Sequence, residues 1–247
     1  MAPRPSLASH LKARDLAPVF ARHGRVHIPG AFDDAFARHM HQALSEATPW
    51  RRSLAVGGRY LDLGEEEFAA LGPDNLAALE KASREEGHNA FRYAFDAYRV
   101  SDHMEAGQPR GHAAEDLWRF VNSDAFLGFI RELTGEPACA YADAQGTRYR
   151  KGDFLSAHDD KAEGKDRLFA FVMNFTPIWR ADWGGLLLFL DADGHVAEGY
   201  TPAFNALNLF RVPQKHAVTQ VTDLAGAACR YAVTGWIRSR PPEGVSP

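Results

Sequence analysis

The run RYRKGDFLSAHDD, residues 148–160, closes an apolar, strand-like segment with His158-x-Asp160. Side chains alternate along a strand, so a strand over Tyr149 to His158, continued to 160, turns the two side chains to one side. A neutral imidazole and a carboxylate placed there can occupy adjacent corners of a metal site. The pair alone decides little. With 11 histidines and 18 aspartates in 247 residues, about one His-x-Asp is expected by chance. His103-x-Glu105 fits the looser His-x-acid form, but it precedes Gly107 and Pro109 and reads as surface loop.

A third ligand has to come from a distant strand. His216 follows Leu207-Asn208-Leu209-Phe210 and a Val212-Pro213 turn, and opens a strand to Val221. Two histidines and one carboxylate form the facial set of non-haem Fe(II) oxygenases, which leaves three coordination positions open. An ordinary strand-end histidine accounts for His216 equally well on this ground. Further on, residues 229–238 read with period two. Tyr231, Val233 and Ile237 share one face; Arg230, Ala232, Thr234 and Trp236 share the other. If the apolar face packs on helices, Arg230 and Thr234 point inward. A buried arginine is costly unless an anion or carboxylate meets it. A structural Arg–Asp pair meets that need as well as a bound ligand does.

Around these strands the texture is regular. From Pro137 on, apolar runs at 137–143, 147–158, 167–175, 185–191, 204–210, 216–221 and 229–238 alternate with turn signals such as Lys151-Gly152-Asp153 and Trp183-Gly184-Gly185. That spacing predicts an antiparallel sandwich or barrel. Residues 1–135 are helix-rich. Helices are expected near 7–20, from Asp33 or Asp34 through Leu44, over Glu65 to Ser83 with a break at Gly72-Pro73, and over Ala113 to Leu133 with Gly135 as stop. Strands are expected at Arg25 to Ile28 and Phe91 to Val100. The economical reading is one domain over residues 1–247, with a helix-rich support at 1–135 and a β core at 136–240.

Composition narrows the function. Lys plus Arg is 28 and Asp plus Glu is 32, a formal charge of −4, which argues against a general affinity for nucleic acid. The longest apolar run, Leu168 to Met173, is far short of the ~20 residues a membrane span needs. The basic N-terminus lacks the apolar stretch of a signal peptide. Two distant cysteines, Cys139 and Cys229, suit free thiols and a reducing cytoplasm. GxSxG, Walker A, GxGxxG and HExxH patterns are absent from the sequence.

Taken in order, Arg148-Tyr149-x-x-Gly152-Asp153-Phe154-Leu155-x-x-His158-x-Asp160, Asn174-x-x-x-x-Trp179, Gly184-Gly185, Phe210-x-Val212-Pro213-x-x-His216-x-Val218 and Arg230-Tyr231-Ala232-Val233-Thr234-x-Trp236 resemble the 2-oxoglutarate- and Fe(II)-dependent dioxygenases, in particular their prolyl-4-hydroxylase-like branch. The resemblance covers about residues 137–238.

It implies a mixed α and β fold, a double-stranded β-helix (a cupin-like jelly-roll) with flanking N-terminal helices. It implies Fe(II) on His158, Asp160 and His216, the catalytic centre. It implies 2-oxoglutarate chelating that iron with its C5 carboxylate on Arg230, Tyr149 in the cosubstrate pocket, and Thr234 and Trp236 along its wall. A tyrosine that often helps the arginine in this branch is missing, since the aligned positions are taken as Phe171 and Val172. O₂ is consumed, ascorbate serves as reductant, and succinate and CO₂ leave. The implied substrate is a prolyl residue of a protein, with free proline or a small amino-acid-derived metabolite as the competitor. The charged loop Asp159 to Arg167 and the aromatic strand Phe91 to Tyr98 could flank the entrance, although a solvated loop and a core strand are the plainer readings. Two rivals from other classes are a metal-free cupin-like binding or sensing module and a zinc hydrolase. The intact ligand set with Arg230 speaks against the first, and the absence of an evident general-base glutamate against the second. The oligomeric state is left open.

Overall fold

A computed structural model describes residues 2–85, 91–162 and 164–245. Its elements run α1 (Ala13–His23), β1 (Arg25–Pro29), α2 (Asp34–Glu46), β2 (Arg51–Val56), β3 (Arg59–Leu63), α3 (Glu65–Glu85), β4 (Tyr93–Tyr98), α4 (Val100–Glu105), α5 (Ala113–Val121) and α6 (Asp124–Thr134). Then come β5 (Tyr141–Ala142), β6 (Gln145–Tyr149), β7 (Phe154–His158), β8 (Arg167–Asn174), β9 (Leu187–Leu190), β10 (Val196–Tyr200), β11 (Ala206–Arg211), β12 (His216–Val218) and β13 (Arg230–Arg238).

Local chemistry sets the helix limits. The Asp33 carboxylate accepts from the N–H groups of Ala35 and Phe36 and starts α2. The single helix expected over 113–133 is two. Asn122 leaves the first helix and its amide donates to Ala142 O at 3.0 Å, while the Ser123 hydroxyl caps α6. A break in α3 falls at Gly72, as Gly72-Pro73 foretold. α4 and the β2–β3 hairpin were not anticipated. The hairpin closes on Gly57-Gly58, both at positive φ (59° and 70°), the signature of a two-residue hairpin turn. His103 is also not the surface residue expected. It lies on α4, 5% exposed, with Nε2 3.0 Å from Glu115 Oε1.

All strand pairings are antiparallel and form one sheet, in the order β1-β11-β8-β13-β6-β4-β7-β12-β9-β10. The sheet curls into a nearly closed barrel, the jelly-roll expected. Side chains join its two end strands: Arg25 of β1 pairs with Glu198 of β10, and His27 stacks on Tyr200 at 4.9 Å. The strand expected over 147–158 is two strands, split by the turn at 150–153. β10 is an addition to the expected set.

The period-two reading of 229–238 holds. Tyr231, Val233 and Ile237 face the helices and pack with Phe36, Met40, Phe126, Ile130, Phe171 and Met173. Each such buried side chain contributes about 1.5–3 kcal/mol. Ala232 and Trp236 turn inward beside Val172, Phe189 and Phe210. No helix among the described residues is long and apolar enough to cross a membrane.

A buried ionic cluster anchors the turn that aims β7. Arg52 donates to both Asp153 oxygens at 2.6 and 2.9 Å, and meets Asp96 at 3.2 Å and Glu80 at 2.8 Å. Burial alone would depress the Arg52 guanidinium, but these carboxylates more than offset it and raise it above its usual range. Asp153 also accepts from the Arg150 N–H at 2.8 Å, so the turn is held from inside.

Candidate active site

His158 ends β7 and His216 opens β12, and the two are register partners in adjacent strands. Their ring centroids are 4.1 Å apart. Asp160 joins them by a different route from the one expected. β7 stops at His158, and Asp160 sits at φ 63°, a left-handed conformation that aspartate tolerates better than most residues. Its carboxylate reaches both rings: Oδ1 is 3.3 Å from His158 Nε2 and Oδ2 is 3.4 Å from His216 Nε2. One ligand atom from each of the three residues lies within 4.8 Å of the others.

The backbone decides which nitrogen faces inward. His158 Nδ1 is 2.9 Å from Ser156 O and His216 Nδ1 is 2.8 Å from Gln214 O. These carbonyls take the Nδ1 protons and leave Nε2 bare toward Asp160. Burial and the neighbouring His158 push His216 down to about 4, only partly opposed by Asp160. Burial alone would raise Asp160, but the two imidazoles hold it below its ordinary value. Two imidazole Nε2 atoms facing one carboxylate form a pocket built for a cation.

Opposite this cluster, in a chamber of about 70 Å³ also lined by Tyr149, Thr234 and Trp236, lies Arg230. It is 2% exposed and register-paired with Tyr149, whose ring its guanidinium approaches at 5.1 Å. Among the described residues its Nε and Nη1 have no hydrogen-bond partner, and Nη2 reaches only Asn174 Oδ1 at 3.5 Å. Burial depresses the guanidinium, opposed only by Tyr149, while the Tyr149 hydroxyl is pushed up by burial and stays protonated. A buried cation with two unpartnered guanidinium nitrogens fits an anion supplied from outside. The donor sets at both ends thus fit a divalent cation and a dicarboxylate.

The glycines of the sequence pattern wall this arginine. A Cβ on Gly184 would lie 2.0 Å from Gln220 O, and one on Gly185 3.4 Å from Arg230 Cδ. Phe171 and Val172 are not the residues that meet Arg230. Phe171 faces the helices and Val172 lines the chamber, while Asn174, two residues on, presents its amide. Its Nδ2 is buried without a partner. The inward alternation of β8 from Val172 was the signal that could have found Asn174. Thr234 accepts from Gln145 Nε2 at 3.4 Å. Arg167 was seen only as a loop end. Its guanidinium lies 3.6 Å from the Trp236 ring centre and donates to Asp160 O at 2.9 Å.

Above His158 and Asp160 the chamber opens into a cavity of about 410 Å³. Phe91, Tyr93 and Phe95 line one side and Asp159, Lys161 and Arg167 the other. The aromatic strand and the charged loop therefore both reach the mouth.

Residues 144–238 match the model of the 2OG-Fe(II) oxygenase superfamily. Prolyl 3-hydroxylase OGFOD1 of Mus musculus is 29% identical over 171 residues, which is 65% of this chain and 30% of that protein. The chain thus spans less than a third of that relative's length. Two solved structures share the fold. A Pseudomonas putida prolyl-4-hydroxylase matches with a TM-score of 0.58 at 15% identity, covering 93% of this chain and all of its own. A Trichoplax adhaerens prolyl hydroxylase, in complex with a hypoxia inducible factor peptide, matches with a TM-score of 0.61 at 17% identity, covering 92% and 89%.

Proposed function

With residues 144–238 a 2OG-Fe(II) oxygenase domain, we propose that this chain is a dioxygenase that hydroxylates an unactivated C–H bond of a prolyl residue in a protein. One observation carries the reading. A His158–Asp160–His216 cluster and the unpaired guanidinium of Arg230 share a single small chamber. His158, Asp160 and His216 would hold Fe(II), and Arg230 with Asn174 would hold the far carboxylate of 2-oxoglutarate. When bound, iron and cosubstrate supply O₂ activation, with succinate and CO₂ as products.

The remaining work belongs to the chain. Ser156 O and Gln214 O orient the two rings, so neither ligand has to reorganise on loading. Tyr149 and Trp236 keep water from the chamber walls and Tyr149 remains a neutral donor. Asp160 occupies a ligand position that a small residue would leave free for halide, which favours hydroxylation over halogenation. A polypeptide substrate is supported by the prolyl 3-hydroxylase name of the mouse relative, by the peptide held in the Trichoplax structure, and by the open cavity above the proposed ligands. We extend the proposal to one catalytic domain in a reducing, cytoplasmic setting, supported by the two free thiols.

The test is anaerobic Fe(II) titration with and without 2-oxoglutarate, followed by turnover with ascorbate present. A weak visible band requiring both additions is expected. His158→Ala, Asp160→Ala and His216→Ala should each lose Fe(II) binding and turnover with the fold retained. Full activity at low iron in any one of them removes that residue from the set, and absence of the band in wild type overturns the oxygenase reading.

A further inference from the structure

The rim of the outer cavity carries apolar surface that the buried chemistry does not use. Tyr60 is 68% exposed and Phe91 40%. Tyr60 sits two residues past the Gly57-Gly58 turn, and its ring is parallel to Tyr93 within 4°, with centroids 6.2 Å apart. Phe91 is 5.5 Å from the Tyr93 ring and 5.3 Å from His158. Tyr93 in turn meets Phe95 at 5.1 Å, and Phe95 stacks on Tyr149 at 5.2 Å. Ring contacts therefore run from solvent to the chamber wall, and one branch touches a proposed metal ligand. β3, which carries Tyr60, pairs with β2 alone among the described strands, and the Tyr60 ring is left exposed on this edge strand. Exposed aromatic faces that continue into a concave site mark a contact surface.

Building on the peptide-hydroxylase reading, we propose that Tyr60, Phe91 and Tyr93 form a docking subsite for the polypeptide substrate, which takes a proline or aromatic ring a few residues from the reacting one. Two arguments select this occupant. Phe91 and Tyr93 line the cavity beside His158 and Tyr60 stands outside that lining, one ring-to-ring step of 6.2 Å beyond Tyr93, so the patch suits a chain that runs out of the cavity. A free amino acid held beside His158 and Asp160 sits within that cavity, whose lining does not include Tyr60. Aromatic-lined grooves also favour the preformed, extended conformation of proline-rich segments, whose rings stack with little ordering cost. On the other side of Trp236 the cavity continues into a second one of about 460 Å³, where Lys165, Arg238, Asp143 and Glu243 make the walls charged. The two arms differ in chemistry, so the rings belong on one flank of the reacting residue only.

The experiment uses the full chain with Fe(II) and 2-oxoglutarate. It is given peptides with one central proline whose flanking positions carry proline, tyrosine, serine or glutamate, and separately free L-proline. Oxygen incorporation is read by mass spectrometry, and binding by fluorescence anisotropy on the Zn(II)-loaded protein. Wild type should prefer peptides with a flanking proline or tyrosine on one side. Tyr60→Ala and Phe91→Ala should raise KM and the anisotropy Kd about three- to tenfold for those peptides and barely for the serine and glutamate series. Iron and 2-oxoglutarate affinity should not move in Tyr60→Ala. Leu224→Ala, at another exposed apolar residue, should change nothing. If peptides are hydroxylated but neither ring variant alters KM or Kd, the subsite is wrong and the peptide reading stands. If only free proline is hydroxylated, or no prolyl substrate at all, both fall together.

Discussion

Replacing Arg230 by methionine should leave the metal-free, ligand-free protein as stable as before, or more so, while destroying its response to 2-oxoglutarate. The sign follows from the hydrogen-bond inventory. Arg230 is 2% exposed, with two guanidinium nitrogens unpartnered and only one long contact, to Asn174, among the described residues. A buried charge without a counter-charge costs several kcal/mol, and its removal recovers that cost less about 0.5–2 kcal/mol for the contact with Tyr149. Once a carboxylate enters, each charge-assisted bond contributes roughly 1.5–3 kcal/mol, so losing two weakens 2-oxoglutarate binding by about a hundredfold or more. At a hundredfold excess over its Kd, the ligand should stabilise the wild type by about 2.7 kcal/mol. For a chain of this size that is a rise in Tm of about 5–10 °C. Anaerobic melts with Fe(II), with and without 2-oxoglutarate, should show this rise in wild type and none in Arg230→Met. Arg230→Lys should keep part of it, because an ammonium cannot make the planar fork. Asn174→Asp should raise the ligand-free Tm and abolish the rise, since its carboxylate becomes the missing counter-ion from within. If Arg230→Met instead melts many degrees lower without ligand and still responds to 2-oxoglutarate, Arg230 is a structural cation and the cosubstrate assignment fails.

Three further outcomes are expected. His216 falls to about 4 when folded against about 6.5 when unfolded, so the unfolded state takes up the extra proton between those values; metal-free stability should decline as pH falls through that window, by roughly 3 kcal/mol in all, and His216→Gln should flatten the decline in pH-dependent denaturant melts. Removing Arg52 strands the buried carboxylate of Asp153, while Asp96 keeps Arg148 and Arg150, so Arg52→Met should cost about 3–5 kcal/mol in urea unfolding; a loss below about 1 kcal/mol would mean the cluster holds nothing. Thiol counting on denatured, unreduced protein should find two, while in the native protein Cys229 should react first, because Cys139 is buried and its thiol is pushed up to about 11; finding no thiols would mean a disulfide.

The β half was readable because its signals are local. Alternation over 229–238 sorted Arg230, Ala232, Thr234 and Trp236 from Tyr231, Val233 and Ile237 without any knowledge of what lay on either side. The helical half was read less well for the opposite reason. Asn122 and Ser123 look like ordinary helix residues until β5 offers the Ala142 carbonyl twenty positions away. His103 looks like loop until α5 brings Glu115 beside it, with Tyr98 3.4 Å from the same nitrogen. The Gly57-Gly58 turn was a genuine local signal for a hairpin and went unread.

Within the site, legibility falls with distance from the proposed iron position, and the chemistry explains why. Metal ligands come from few residue types at short, fixed spacing, so His158-x-Asp160 could be found even though the geometry behind it was a left-handed turn and not the strand assumed. The anion end needs only one charge in an apolar strand, so Arg230 stood out, but its partner did not. Asn174 is neutral and lies fifty-six positions from Arg230. The substrate end has no distinctive chemistry at all. Tyr60, Phe91 and Tyr93 are common residues, brought together by a hairpin and a strand that each look ordinary. The part of such an enzyme that chooses its substrate is therefore written in which common side chains the fold leaves exposed, and that is decided only when β3 is seen to pair on one edge alone.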